Sequence, residues 1–224
     1  MSVAENLRTV LEEISRAAEQ AGRDAASVRL VAVSKKHEAA AIEAAMAAGQ
    51  MDFGENYVQE LRDKAMKVAG EPRWHYIGHL QRNKVKYLAP WIHMIHTVDS
   101  IRLADGIARR AGLHERRIKI LVQVNVAREG VKSGCDPEDA SALVQHAAAL
   151  PELEVCGLMT MPPFWPPEQV RPFFRGLREL RDRLQDDLGL ALPELSMGMS
   201  ADFPAAIEEG ATLVRVGTRI FGAR

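Results

Sequence analysis

VRLVAVSKK, residues 28–36, is the stretch on which the fold of this chain turns. Val31 and Val33 point to one face of an extended strand and Leu30 and Ala32 to the other. Both faces are therefore apolar, as in a parallel sheet covered on both sides. By the same alternation Lys35 falls on the Val31/Val33 face, where the strand runs out and Lys36, His37 and Glu38 open a helix. A lysine amine at the C-terminal end of a buried strand is partly desolvated, which disfavours its charged form. The uncharged amine is what a carbonyl cofactor needs to form a Schiff base. A solvated strand-end lysine is the ordinary alternative, and the rest of the chain decides between the two.

Outward from this strand the pattern repeats. Upstream, Ser2 and Glu5 have capping-box spacing, and Val3, Leu7, Val10, Leu11, Ile14 and Ala18 mark one face of a helix ending at Gly22. The strand candidates are Arg29–Lys35, Met51–Glu55, Arg73–Gly78, Met94–Val98, Lys119–Asn125, Glu154–Met161, Glu194–Met199 and Leu213–Phe221. Helical patterns lie between them at about 38–48, 57–68, 81–88, 100–112, 136–149, 167–188 and 201–209. Strand and helix alternating in this way close most naturally as a single (β/α)8 TIM-type barrel with an additional N-terminal helix. A doubly wound open sheet is the structural alternative, but it brings a glycine-rich first turn, and VSKKHEAA has none. No internal linker is visible, so residues 1–224 read as one domain, with 1–22 as its leading helix.

Composition narrows the function classes. A net charge of -1 gives no electrostatic footprint for nucleic acid or an anionic membrane. No apolar run is long enough to span a bilayer, and Glu5, Arg8, Glu12 and Glu13 exclude a signal peptide. Cys135 and Cys156 form no ligand or redox spacing and suit a reducing cytosol, so the expected location is cytoplasmic. The histidines give no metal site. His75 and His79 share a strand face but stand roughly 13 Å apart, and His93 and His96 point to opposite faces of theirs. The MPPFWPPEQV stretch (161–170) is a loop leading into a helix, its Phe164 and Trp165 packing their own loop, covering the barrel mouth or meeting a partner.

In such barrels the site lies at the C-terminal ends of the strands. Ser196-Met197-Gly198-Met199-Ser200 runs from the seventh strand into a helix, with Ser200 placed to cap it. Amides at a helix start, together with serine hydroxyls, make an anion site. The eighth strand supplies Gly217 and Thr218, and barrels often hold phosphate between these two loops. Arg215 shares a face with Leu213 and Gly217. A structural ion pair with Glu194 or Glu55 is one reading of it. The other is a donor to a ring nitrogen, since arginine can only donate. A lysine, a phosphate cradle and an arginine donor in one barrel mouth describe a site for pyridoxal 5'-phosphate (PLP).

The chain also resembles a known family. VAVSKKHE, DFGENYVQEL, WHYIGHLQRNKVK, the EGVKSG loop (129–134), GLMTM and LSMGMSADFPAAIEEGATLVRVGTRIFG together resemble the pyridoxal phosphate homeostasis proteins over nearly the whole length. That resemblance implies a fold like the barrel domain of alanine racemase. It makes Lys35 the aldimine lysine, holding PLP covalently, and Arg215 the partner of the pyridine nitrogen. It places the phosphate on Ser196, Gly217 and Thr218, with Ser200 beside them, and Asn56 next to the cofactor. Lys36-His37 departs from the commoner form of the turn after the aldimine lysine.

A ring nitrogen facing arginine stays unprotonated and makes the cofactor a weaker electron sink, which disfavours transamination and decarboxylation. A racemase needs an acid/base group on each face of the amino acid. In alanine racemase the second group comes from a tyrosine of another domain. The present chain runs three residues past its predicted eighth strand, to Arg224, so that domain is read as absent. The resemblance therefore implies a non-catalytic PLP carrier that buffers PLP, vitamin B6 and amino-acid balance. Its expected partners are PLP itself and PLP-dependent apoenzymes as recipients, with no nucleic acid and no membrane, and since no exposed apolar helix or strand is obvious a monomer is expected. A small PLP-dependent amino-acid racemase or lyase is the alternative.

Overall fold

The computed structural model describes residues 2–128, 130 and 133–222; positions 129, 131 and 132 of the EGVKSG motif therefore lie outside the described residues. Eight parallel strands, β1 (Arg29–Val33), β2 (Asp52–Glu55), β3 (Arg73–Tyr76), β4 (Ile92–Val98), β5 (Ile118–Gln123), β6 (Leu153–Met159), β7 (Glu194–Met199) and β8 (Leu213–Val216), form a closed barrel in sequence order. Closure is made by β1 against β8, with Leu30 level with Val214 and Val31 with Arg215. An open sheet is thereby excluded.

The two apolar faces of β1 have separate destinations. Leu30 and Ala32 face outward into the layer between barrel and helices, a cluster shared with Ile42, Phe53 and Val214. Val31 faces inward with Met94, Leu121, Cys156, Met159 and Leu213. Each large side chain buried this way stabilises the fold by about 1.5–3 kcal/mol.

The helices that alternate with the strands are α1 (Val3–Gln20), α2 (Ala39–Ala47), α3 (Val58–Ala65), α4 (Val85–Leu88), α5 (Ile101–Gly112), α6 (Ala140–Ala148), α7 (Pro167–Leu188), α8 (Phe203–Glu208) and α9 (Thr218–Phe221). The leading helix α1 starts on the expected capping box, Ser2 with Glu5, and buries Leu7, Val10, Ile14, Ala17 and Ala18. It packs against α2, α8 and α9, and Asn6 Nδ2 donates to the Ile220 carbonyl at 3.0 Å.

Two expectations are corrected here. The last strand stops at Val216, because Gly217 opens a helical turn whose carbonyl accepts from the Ile220 and Phe221 amides. Apolar residues at 220 and 221 thus continue a helix face rather than a strand. The histidines of β4 also depart from simple alternation. Ladder irregularities on both sides of β4 bring the rings of His93 and His96 to 5.5 and 5.1 Å from that of His75.

Candidate functional site

Lys35 follows β1 by two residues, and the chain turns sharply beyond it. Lys36 adopts the left-handed conformation (φ 65°), the His37 amide donates to the Ser34 carbonyl at 3.1 Å, and the Lys36 amide donates to Glu60. His37 stacks on Phe221 with 5.2 Å between ring centroids, which joins this turn to the end of α9. The unusual Lys36-His37 pair is therefore built into a defined turn, with Lys35 at its start.

Behind the turn lies a buried ionic group. Glu55 Oε1 accepts from Ser34 Oγ and from Lys64 Nζ, both at 2.7 Å, and Lys64 also bonds Glu60 and the Ser34 carbonyl. Burial raises the Glu55 carboxyl above its ordinary range despite the Lys64 ammonium. With Lys64 as its partner, Glu55 is committed to bracing this turn.

Lys35, Asn56, Ser200, Arg215, Gly217 and Thr218 line one cavity of about 150 Å³ at the C-terminal ends of the strands. Val33, Ile77, Met161 and Met199 complete its walls with apolar surface. Asn56 is held from below: Tyr76 donates its hydroxyl proton to the Asn56 carbonyl at 3.0 Å. A Cβ at Gly78 would stand 2.3 Å from that same carbonyl oxygen, so only glycine fits there. The Asn56 Oδ1 atom is buried without a hydrogen-bond partner in the protein. A wider groove of about 700 Å³ between residues 36–40 and 60–67 draws nothing from β7 or β8.

Arg215 is 3% exposed and pairs with neither Glu194 nor Glu55. Glu194 is bound to Arg29 and Glu55 to Lys64. Arg215 donates instead to Ser196 Oγ at 2.7 Å and to the Thr160 carbonyl at 3.1 Å. Burial pushes its guanidinium down to about 10, which leaves it protonated at neutral pH.

The two serines of SMGMS occupy different places. Ser196 is fully buried below the cavity, with its hydroxyl between Arg215 and His96. Ser200 lines the cavity but does not cap α8. Asp202 stands at the N-cap and its Oδ1 accepts from the Met199 amide at 2.6 Å. The helix starts later than expected, and this frees the Ser200 side chain to face the mouth. Opposite it, a Cβ at Gly217 would lie 2.9 Å from the Val33 carbonyl oxygen, so a glycine lets β8 close on β1 here.

Below the site the barrel interior joins Asp52, which was not singled out from the sequence, to His75 and His96, which were weighed there only as metal ligands. Searching for metal spacing along single strands missed the connection. The usable signal is polar residues at inward positions of consecutive strands. Among the described residues there is no cluster of metal-ligating side chains, and no helix is long and apolar enough to cross a membrane.

The profile of the alanine racemase N-terminal domain family matches residues 6–224. A pyridoxal phosphate homeostasis protein of Aquifex aeolicus is 47% identical, over 100% of this chain and 99% of its own length. The chain belongs to that family. The pyridoxal phosphate homeostasis protein of Homo sapiens is 43% identical, across 97% of this chain and 85% of its own. Among solved structures of the family, PipY of Synechococcus elongatus with PLP bound superposes with a TM-score of 0.87. It is 37% identical and is matched over 99% of this chain and 100% of its own.

Proposed function

We propose that the cavity at the barrel mouth holds PLP, and that the protein takes up, keeps and releases it without turning over a substrate. The observation that carries this reading is the convergence of a lysine from β1, a buried arginine from β8 and the Ser200 hydroxyl on one cavity. The cavity also fits the ligand chemically. Asn56 Oδ1 is a buried acceptor without a partner in the protein, and the Ser200 and Thr218 hydroxyl side chains belong to the same lining. Relatives named for PLP homeostasis, and a homologue with PLP bound, support the same assignment.

In this reading Lys35 holds the aldehyde carbon through Nζ as a Schiff base, with loss of water. Arg215 donates to the ring nitrogen. Ser200 and the backbone at Gly217 and Thr218 take the phosphate, and Ser196 acts below them, through Arg215. PLP when bound supplies an electrophilic aldehyde and a conjugated ring. Arg215 keeps the ring nitrogen as an acceptor and so limits the electron sink.

Among the described residues lining the cavity, the ionisable ones are Lys35 and Arg215. A protonated guanidinium is a poor proton acceptor, so the second acid/base group of a racemase has no candidate in the lining. In this reading the protein is a cytoplasmic monomer that balances PLP, vitamin B6 and amino acids and passes PLP to apoenzymes.

Incubation of the loaded protein with a PLP-requiring apoenzyme, and separately with L-amino acids, tests this. Expected are recovery of the apoenzyme's activity and no racemisation or keto-acid formation above that of free PLP. Turnover above free PLP would establish the racemase or lyase reading instead.

A further inference from the structure

Beneath the cavity a file of polar side chains crosses the barrel interior. Arg215 on β8 donates from Nη1 to Ser196 Oγ on β7 at 2.7 Å. Ser196 Oγ is 2.8 Å from His96 Nδ1 on β4, and His96 Nε2 is 2.8 Å from His75 Nδ1 on β3. His75 Nε2 is 2.8 Å from Asp52 Oδ1 on β2. Asp52 in turn is held by Arg73, whose side chain is 46% exposed at the start of β3. The file thus runs from solvent at the strand N-termini to the cavity at their C-termini.

Its direction is set from the Asp52 end. At the other end a guanidinium can only donate, so Ser196 Oγ accepts from Arg215 and has one proton to give to an acceptor nitrogen of His96. An ionised carboxylate can only accept, so His75 donates to Asp52 from Nε2. Burial alone would raise the Asp52 carboxyl, but hydrogen bonds from Arg73 and His75 hold it well below the carboxylate range. A neutral imidazole has one donor and one acceptor, which leaves His96 Nε2–H donating to His75 Nδ1. The assignments meet without conflict. A proton added to His75 would set N–H against N–H and one added to His96 would turn the Ser196 hydroxyl proton away, and burial pushes both imidazoles down from their ordinary values.

Resting on the PLP reading above, we propose that His75, His96 and Ser196 are positioning residues. They hold the Arg215 guanidinium in one orientation, so that the ring nitrogen of bound PLP meets a fixed donor. None of the three lines the cavity. A merely structural role for them would move the melting temperature and leave the spectrum of bound PLP unchanged.

The test uses the full-length protein loaded with PLP, reading the absorption band of the bound cofactor and its release rate. Ser196→Ala is expected to displace the band and speed release about tenfold, the effect of one lost hydrogen bond to a charged group. His96→Phe is expected to move both in the same direction. Adding it to Ser196→Ala brings little further change, because the two act in one file. His96→Gln, which keeps a donor and an acceptor, is expected to return both readings to within about twofold of the parent. Folded Ser196→Ala and His96→Phe proteins with the parental band and release rate would overturn the proposal.

If His96→Phe does not fold, Ser196→Ala and nitrogen-15 histidine spectra of the unliganded parent decide. Those spectra are expected to show both rings neutral and protonated on Nε2. A charged ring, or His96 protonated on Nδ1, overturns the file whatever the cofactor. A parent protein that takes up no PLP would overturn the PLP reading, and the histidine spectra would still judge the file.

Discussion

Arg73 and Arg215 stand at opposite ends of the same interior file, and only Arg73 is hydrogen-bonded to a carboxylate. Arg73 makes two bonds to Asp52, from Nε at 2.8 Å and from Nη2 at 2.6 Å, and these raise its pKa above the ordinary value. Arg215 bonds a hydroxyl and a carbonyl, feels Asp202 only at a distance, and is pushed down to about 10 by burial. The first is a finished ion pair at the barrel's floor. The second is a cation kept in place by neutral acceptors, with its remaining capacity directed to a cavity. A buried arginine without a carboxylate is costly to the fold, so its presence at the mouth points to a ligand.

The comparison can be broken from either end. Arg215→Leu is expected to weaken PLP binding by about ten- to a hundredfold, as for one charged hydrogen bond, and to leave the unliganded protein as stable as before or more so. Equilibrium dialysis and thermal melting check the two halves of that statement. Arg73→Leu is expected to do the reverse. It strands much of the Asp52 charge and costs about 1–3 kcal/mol in chemical denaturation, with the lower part of that range favoured by the half-exposed guanidinium. PLP affinity in Arg73→Leu is expected to fall only through the file.

Acid sharpens the contrast further. His75 and His96 are buried neutral, and burial pushes the half-buried His93 down to about 4. With folded values below the unfolded value, the unfolded chain binds more protons, so stability falls as pH drops below about 6.5. The slope is up to about 1.4 kcal/mol per pH unit for each such histidine. Asp52, also depressed, adds its own loss only below about pH 4. Denaturation measured across this range should be shallower in His96→Gln above pH 4. The smallest effect belongs to Phe164, which is 87% exposed on the proline-rich loop. Phe164→Ser is expected to change stability by less than about 0.5 kcal/mol and to leave PLP affinity unaltered.

The barrel was legible because β1 is apolar on both faces and because the strand–helix alternation is regular enough to count. Lys35, Ser200, Arg215, Gly217 and Thr218 could be named from their places at strand ends and Asn56 from the family resemblance, and all of them line one cavity. What the residues could not show is how the serines divide the work. Ser196 and Ser200 stand four apart in one motif, but the ladder shifts between Ser196 and Met199 and α8 starts late on Asp202, so one is buried beneath the cavity and the other lines it. Likewise the end of β8 depends on a turn at Gly217 that apolar residues on both sides conceal. The histidine file was hidden for another reason. Its members are far apart in sequence and adjacent only through the barrel's register, so no spacing along one strand reveals them.

The central claim, that Lys35 anchors PLP at the barrel mouth, is tested most directly by loading the protein with PLP, reducing it with borohydride and mapping the peptides by mass. The pyridoxyl mass is expected on Lys35. Its appearance on Lys36, or on no lysine, would contradict the account.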